Sequence, residues 1–165
     1  MSVAPAGAIA PRARAARIAY TTLLTLIAPA YALRLWWRGR AEPLYRTGLG
    51  ERFGFYRDSP SAGSVWVHAV SLGETRAAAA LVDALRALRP DLPLLLTHGT
   101  ATGRAAGKSL LQPGDRQAWL PYDTPRAVRR FHAHFRPQVG VLMETEVWPN
   151  LLFAAQQRGV PMVLA

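Results

Sequence analysis

The sequence predicts an α/β fold built on a parallel sheet, preceded by an apolar helix that anchors the chain to a membrane. Three observations carry that prediction. Five short apolar runs alternate with segments of helical periodicity. Pro and Gly punctuate the boundaries between them. Ahead of them stands Ile18–Leu33, a stretch of sixteen residues without a charge, set between arginines.

Residues 1–17 form a basic tail, with Arg12, Arg14 and Arg17 leading into the apolar run. The run is slightly short of the roughly 20 residues a spanning helix needs, and it contains Pro29. Trp36 and Trp37, with Arg34, Arg38 and Arg40, follow it, which is how an interfacial anchor ends. Residues 18–40 are therefore read as the anchor, either spanning the membrane or lying in it. A cleaved signal with an Ala28-Pro29-Ala30 site is the competing reading. The dense positive charge from Arg34 to Arg52 opposes translocation and argues against it. Residues 41–64, rich in Gly, Arg and aromatics, have no clean period and are read as a connector ending in a Pro-Ser-Ala-Gly-Ser linker.

The globular domain is placed at 65–165. Val65–Val70 reads as a buried strand. Thr75–Arg89 sets Ala78, Leu81, Val82, Leu85 and Leu88 at helical spacing and stops before Pro90. Leu94–Thr97 is a strand, Thr102–Leu111 a helix stopped by Pro113-Gly114, and Ala118–Leu120 a short strand. Pro125 suits the first turn of a helix that runs to Phe135. Val139–Met143 is a strand, Pro149 opens a helix to Arg158-Gly159, and Val160–Ala165 begins a fifth strand. Such alternation argues for parallel strands covered on both faces and joined by right-handed crossovers. Ligands of such sheets bind beyond the carboxyl ends of the strands.

Composition narrows the function. Cysteine is absent from the 165 residues, which excludes disulfides, thiolate metal sites and a cysteine nucleophile. The net charge is +10, of which +7 falls in residues 1–57, where nine arginines meet Glu42 and Glu51. That segment attracts anions: nucleic acid, anionic lipid or a phosphorylated glycolipid. Lys108 is the single lysine among twenty cations, a bias that a GC-rich coding sequence produces without any function. No G-x-G-x-x-G or P-loop is present, so no nucleotide cofactor is expected. The histidines lack metal-ligand spacing, so no metal is expected either.

The residues that follow the strands are the site candidates. Ser71-Leu72-Gly73-Glu74 brings a carboxylate to a helix start, as a general base or as the Glu of a capping box, and the two roles are compatible. Thr97-His98-Gly99-Thr100-Ala101-Thr102-Gly103 supplies hydroxyls and glycines for an anion or sugar, or simply a Thr-capped helix entry. Asp123 begins a helix. Glu144 and Glu146 are a carboxylate pair for acid/base work or sugar hydroxyls, with one of them complementing the dipole of the following helix.

The strings WVHAVSLGET, LPYD and METEVWPN, in this order, resemble the N-terminal half of 3-deoxy-D-manno-octulosonic acid (Kdo) transferases. So do RLWWRGR and YRTGLGERFGFYR, and the likeness spans Ile18 to Ala165. Position 98 departs from the family's threonine-rich loop, which puts a direct role for His98 in doubt. The resemblance implies the Rossmann-like N-terminal domain of a two-domain GT-B glycosyltransferase at the cytoplasmic face of the inner membrane. It implies inverting transfer without a metal from CMP-Kdo, held by a C-terminal donor domain that this sequence does not reach. The acceptor is a lipid A precursor, lipid IVA, in lipopolysaccharide core biosynthesis; membrane lipids are partners and nucleic acid is not. By motif, Glu74 is the general base and Glu144 a second functional carboxylate; Ser71, Gly73, Thr97, Thr100, Thr102 and Glu146 are possible acceptor-binding residues. The 165 residues alone are expected to be inactive. The alternatives are a membrane-anchored, non-catalytic lipid-binding module and a GT-B transferase for another lipid-linked acceptor.

Overall fold

A computed structural model describes residues 11–144 and 148–165. It is α/β with five parallel strands: β1 (Val65–His68), β2 (Leu94–His98), β3 (Arg116–Trp119), β4 (Val139–Leu142) and β5 (Met162–Leu164). Their order is β3-β2-β1-β4-β5. The helices are α1 (Pro11–Arg38), α2 (Leu72–Leu88), α3 (Ala101–Gly107), α4 (Pro125–Phe135) and α5 (Pro149–Gln157). Residues 41–64 carry two 3-10 turns, Pro43–Arg46 and Leu49–Phe53.

The strand pattern explains the two layers. Val65, Val67, Leu94 and Leu96 point to one face and pack with Ala78 and Val82 of α2. Trp66 and Leu95 point to the other, against Val128, Phe131 and Phe135 of α4 and Leu151 of α5. Alternate strand residues facing opposite layers is the period-two rule, and both faces being apolar is what a parallel sheet requires. His68 joins β1 to β2 through Nδ1, 2.9 Å from Thr97 Oγ1, and the Trp66 indole N–H donates to the same hydroxyl at 2.8 Å.

Several boundaries differ from the sequence reading, and three of them have a clear local reason. β1 stops at His68 because the Val70 carbonyl turns to accept hydrogen bonds from the β2–α3 loop. α2 begins at Leu72, three residues before Thr75, because Ser71 and Glu74 close the capping box reciprocally. α3 ends at Gly107 and tightens into a 3-10 turn at Lys108–Leu110. There a Cβ would stand 2.5 Å from His98 Nε2, so the helix lies directly on that ring.

The segment before β1 is packed against the sheet edge. Glu51 Oε2 accepts the backbone N–H of Trp119 on edge strand β3 at 2.7 Å and a bond from Arg104 at 2.8 Å. Tyr45 stacks on the Trp119 ring, and the buried Arg52 guanidinium lies 4.2 Å from that ring's centre. Gly54 has φ 80°, and a Cβ there would reach within 2.6 Å of the Ala127 carbonyl, so only glycine lets the chain pass α4 this closely.

Helix α1 touches the domain along one stripe: Arg17, Tyr20, Thr21, Leu24, Ala28, Ala32 and Leu35 are buried or half-buried. The spacing of three or four residues is one face of a helix. Leu35 joins Tyr45, Ala101 and Trp119 in a small core of its own. The opposite face exposes Leu23, Leu26, Leu33 and Trp37.

The core histidines give the fold an acid limit. Burial pushes His68, His98 and His132 down to about 4 from an ordinary value of 6.5. The folded state therefore binds fewer protons than the unfolded chain between those values, and stability is complete above about pH 6.5 and lost as pH falls toward 4. Melting temperature in detergent should be flat from about pH 7 upward and drop steadily below 6.5. His132→Leu, which removes a ring from the Trp66–Phe131 cluster, should make that drop shallower.

Candidate functional site

The order β3-β2-β1-β4-β5 contains one topological switch point. From β1 the chain crosses to β2 on the α2 side of the sheet. Later it returns through α4 to place β4 on the other flank of β1. The connections leaving β1 and β4 diverge, and the carboxyl ends beside such a switch point are where ligands of such sheets bind. Glu74 follows β1 and Glu144 follows β4, so the two carboxylates come one from each strand beside that switch point.

Glu74 is held tightly. Its Oε2 accepts the Val70 N–H at 2.7 Å and its Oε1 the Ser71 N–H at 3.1 Å, while Ser71 Oγ accepts the Glu74 N–H at 3.3 Å. The peptide between Val70 and Ser71 is fixed from its other end too. The Val70 carbonyl accepts from Gly99 N–H at 3.1 Å, Thr100 N–H at 2.9 Å and the Thr100 hydroxyl at 2.9 Å. α3 presses on the same turn at Gly103, where a Cβ would sit 3.0 Å from the Val70 and Ser71 carbonyl oxygens. The β2–α3 loop thus grips one end of a peptide whose N–H faces the carboxylate. Hydrogen bonds in such a chain polarise one another.

The other sequence candidates fall into distinct places. Ser71 is half-buried at the helix cap. Gly73 is exposed on the first turn of α2, with nothing closer to a Cβ than Ser71 Oγ at 3.8 Å, and leaves that surface bare. Thr102 is exposed beside Thr100, their hydroxyls 3.4 Å apart. Thr97 is fully buried, its hydroxyl taken up by Trp66 and His68 beneath the site. Thr100 spends its hydroxyl on Val70 and on the Gly103 N–H as the cap of α3. Glu144 is exposed. Glu146 lies outside the described residues. His98 is a bridge inside the fold: Nδ1 is 3.0 Å from the Ala69 carbonyl, and Nε2 is 3.1 Å from the Gln117 amide of β3.

Asp123 has a role of its own at the start of α5. It serves the amino end of α5, which has no acidic residue in its first turn. Oδ2 accepts Asn150 N–H at 2.9 Å and Oδ1 accepts Leu151 N–H at 2.7 Å. The Asn150 side chain donates to the Asp123 carbonyl at 2.6 Å and to Thr21 Oγ1 of α1 at 2.9 Å. Burial raises the Asp123 carboxyl above its ordinary value, and the Asn150 N–H, Tyr20 hydroxyl and Leu151 N–H draw it back. LPYD and WPN are thus two halves of one latch that ties α1, the β3–α4 loop and α5 together. Only contact across 27 residues reveals it, although an α5 that starts without a cap of its own is a local hint.

The chain as a whole is similar to known proteins. Residues 47–165 match the family model described as 3-deoxy-D-manno-octulosonic-acid transferase. The chain belongs to this family. A Kdo transferase of Bordetella pertussis is 51% identical over 154 residues, covering 88% of this chain and 36% of the relative. One from Haemophilus influenzae is 34% identical over 151 residues, 90% of this chain and 35% of the relative. A probable mitochondrial Kdo transferase of Arabidopsis thaliana is 34% identical over 146 residues, 88% and 33%. The chain therefore spans about a third of the length of the curated relatives it matches. The family is one of glycosyltransferases, and the parallel sheet is consistent with a Rossmann-like N-terminal domain of such an enzyme.

The latch makes a stability prediction. Asp123→Ala removes two charge-assisted bonds and leaves two N–H groups unpaired in a buried place, a loss of about 3 kcal/mol or more. Denaturant unfolding in detergent should show that loss, with Asp123→Asn intermediate because it keeps one acceptor.

Proposed function

We propose that the chain is the acceptor-side half of an inverting GT-B transferase that moves Kdo from CMP-Kdo to lipid IVA in lipopolysaccharide core biosynthesis, with Glu74 as general base. The observation that carries this reading is that Glu74 and Glu144 follow the carboxyl ends of the neighbouring strands β1 and β4 at the switch point, in a chain of the Kdo transferase family. An acceptor hydroxyl brought to the first turn of α2 gives its proton to the Glu74 carboxylate. Its oxygen forms the new bond to the anomeric carbon, and the bond to CMP breaks with its electron pair leaving on phosphate. A carboxylate offers about four lone-pair sites, and the two backbone donors leave room for that proton. Glu74 is 8% exposed, so the hydroxyl must approach closely, and the bare surface at Gly73 permits it. Glu144, exposed after β4, is assigned to the sugar hydroxyls, with Ser71 and Thr102 as further donors.

The donor is assigned to a second domain. Residues 1–165 by themselves then hold acceptor and transfer nothing, because positioning donor and acceptor together supplies about 7–11 kcal/mol of the barrier reduction. The membrane surface is assigned to α1, at the cytoplasmic face of the inner membrane. Its packed stripe lies along the domain from Arg17 to Leu35, so the helix meets lipid with its opposite, apolar face and lies in the interface. Arg46 over Trp36 and Arg40 over Trp37 suit the headgroup level.

Glu74→Gln, in a chain continued through a donor domain, should lower activity by about 10²–10⁴-fold, the usual contribution of a general base. The amide NH2 must face one of the two backbone N–H donors, so a melting decrease worth about 1–2 kcal/mol should accompany it. Activity measured well below the melting temperature separates the two effects. A variant that loses stability but keeps its rate would leave Glu74 a cap only and favour a non-catalytic lipid-binding module.

A further inference from the structure

On the flank of α1 toward α4 lies a groove of about 590 Å³, walled by α1, the Leu49–Phe53 turn region and the first turns of α4. Its floor is apolar, with Ala28 and Pro29 on one side and Phe53 and Phe55 on the other. Its rim is cationic: Arg126 and Arg130 both line it, and no acidic residue does. Arg130 stands 4.0 Å above the centre of the Phe55 ring and donates to the Phe53 carbonyl at 3.2 Å, so one cation is already fixed over the apolar floor. Arg126 has no hydrogen bond or ion pair among the described residues. Pro29 is the neighbour of Leu33 and Leu26 on the helix surface, so the groove opens directly onto the exposed apolar face of α1.

We propose that this groove binds one anionic phospholipid of the bilayer, an acyl chain on the apolar floor and the phosphate between Arg126 and Arg130. The volume lies within the roughly 300–1,000 Å³ of small-ligand pockets. The floor suits a hydrocarbon chain and offers it little else. The two guanidinium groups match a phosphate diester in charge, and they stand where an in-plane α1 would bring headgroups. The site is separate from the strand carboxyl ends and would hold a structural lipid that fixes the angle between α1 and the domain. It rests on the assignment of α1 to the membrane surface, and a separate measurement tests that assignment.

The experiment uses residues 1–165 in detergent, with phosphatidylglycerol or phosphatidylcholine added, and counts retained lipid by native mass spectrometry. One phosphatidylglycerol should be retained in preference to phosphatidylcholine. Arg126→Gln with Arg130→Gln should weaken phosphatidylglycerol retention by about tenfold or more and abolish the preference. Thr25→Trp, which fills the groove from α1, should lose both lipids. Flotation with anionic vesicles should be nearly unchanged in these variants and lost in Leu26→Glu with Leu33→Glu. Equal retention by wild type and variants overturns the site. Displacement of the lipid by millimolar inorganic phosphate would show an anion site without an acyl chain and overturn it too. Failure of the wild type to float, with lipid still retained in detergent, would overturn the membrane assignment of α1 and leave the groove standing.

Discussion

The peptide that joins Val70 to Ser71 holds the strand-carboxyl end of the molecule in place. Its carbonyl takes three donors from Gly99 and Thr100, and its N–H, with that of Val70, fixes the Glu74 carboxylate. The end of β1, the loop after β2, the start of α2 and the approach of α3 at Gly103 are all set by that one plane. Charge-assisted bonds of this type contribute about 1.5–3 kcal/mol each. The carboxylate is thereby oriented before any substrate arrives, which is the preorganisation an electrostatic catalyst needs.

The cap and the proposed base are then compatible uses of one side chain. The backbone donors fix direction and leave lone pairs for a substrate proton. Glu144 contrasts with Glu74 in being exposed. The amino end of α5 is served from a distance by Asp123.

Much of this was legible in the sequence because the signals were local. Pro125 and Phe135 bound α4 as read, all five strands overlap their apolar runs although β3 starts two residues earlier on Arg116-Gln117, and Ser71-x-x-Glu74 closes the capping box its spacing suggests. Non-local partners were not legible. Glu51 looks like one charge in an aperiodic segment, yet it caps the edge of β3 across 68 residues. Asp123, Asn150 and Thr21 form their latch across distances no periodicity reports. Thr97 and Thr100 share a loop of hydroxyls with Thr102, and only packing separates the two committed to the fold from the one left on the surface. His98 is committed to the fold, because its side chain fills the space under α3 and reaches Gln117.

The central claim is that the carboxyl ends of β1, β2 and β4 receive the lipid acceptor. Titrating residues 1–165 in detergent with a tetraacylated lipid A precursor, followed by amide and side-chain carboxyl NMR, tests it directly. The account predicts that Ser71, Gly73, Glu74, Thr102 and Glu144 shift together with one affinity, and that the affinity weakens with salt because the acceptor carries phosphates. A saturable shift elsewhere that leaves these five unmoved would contradict it.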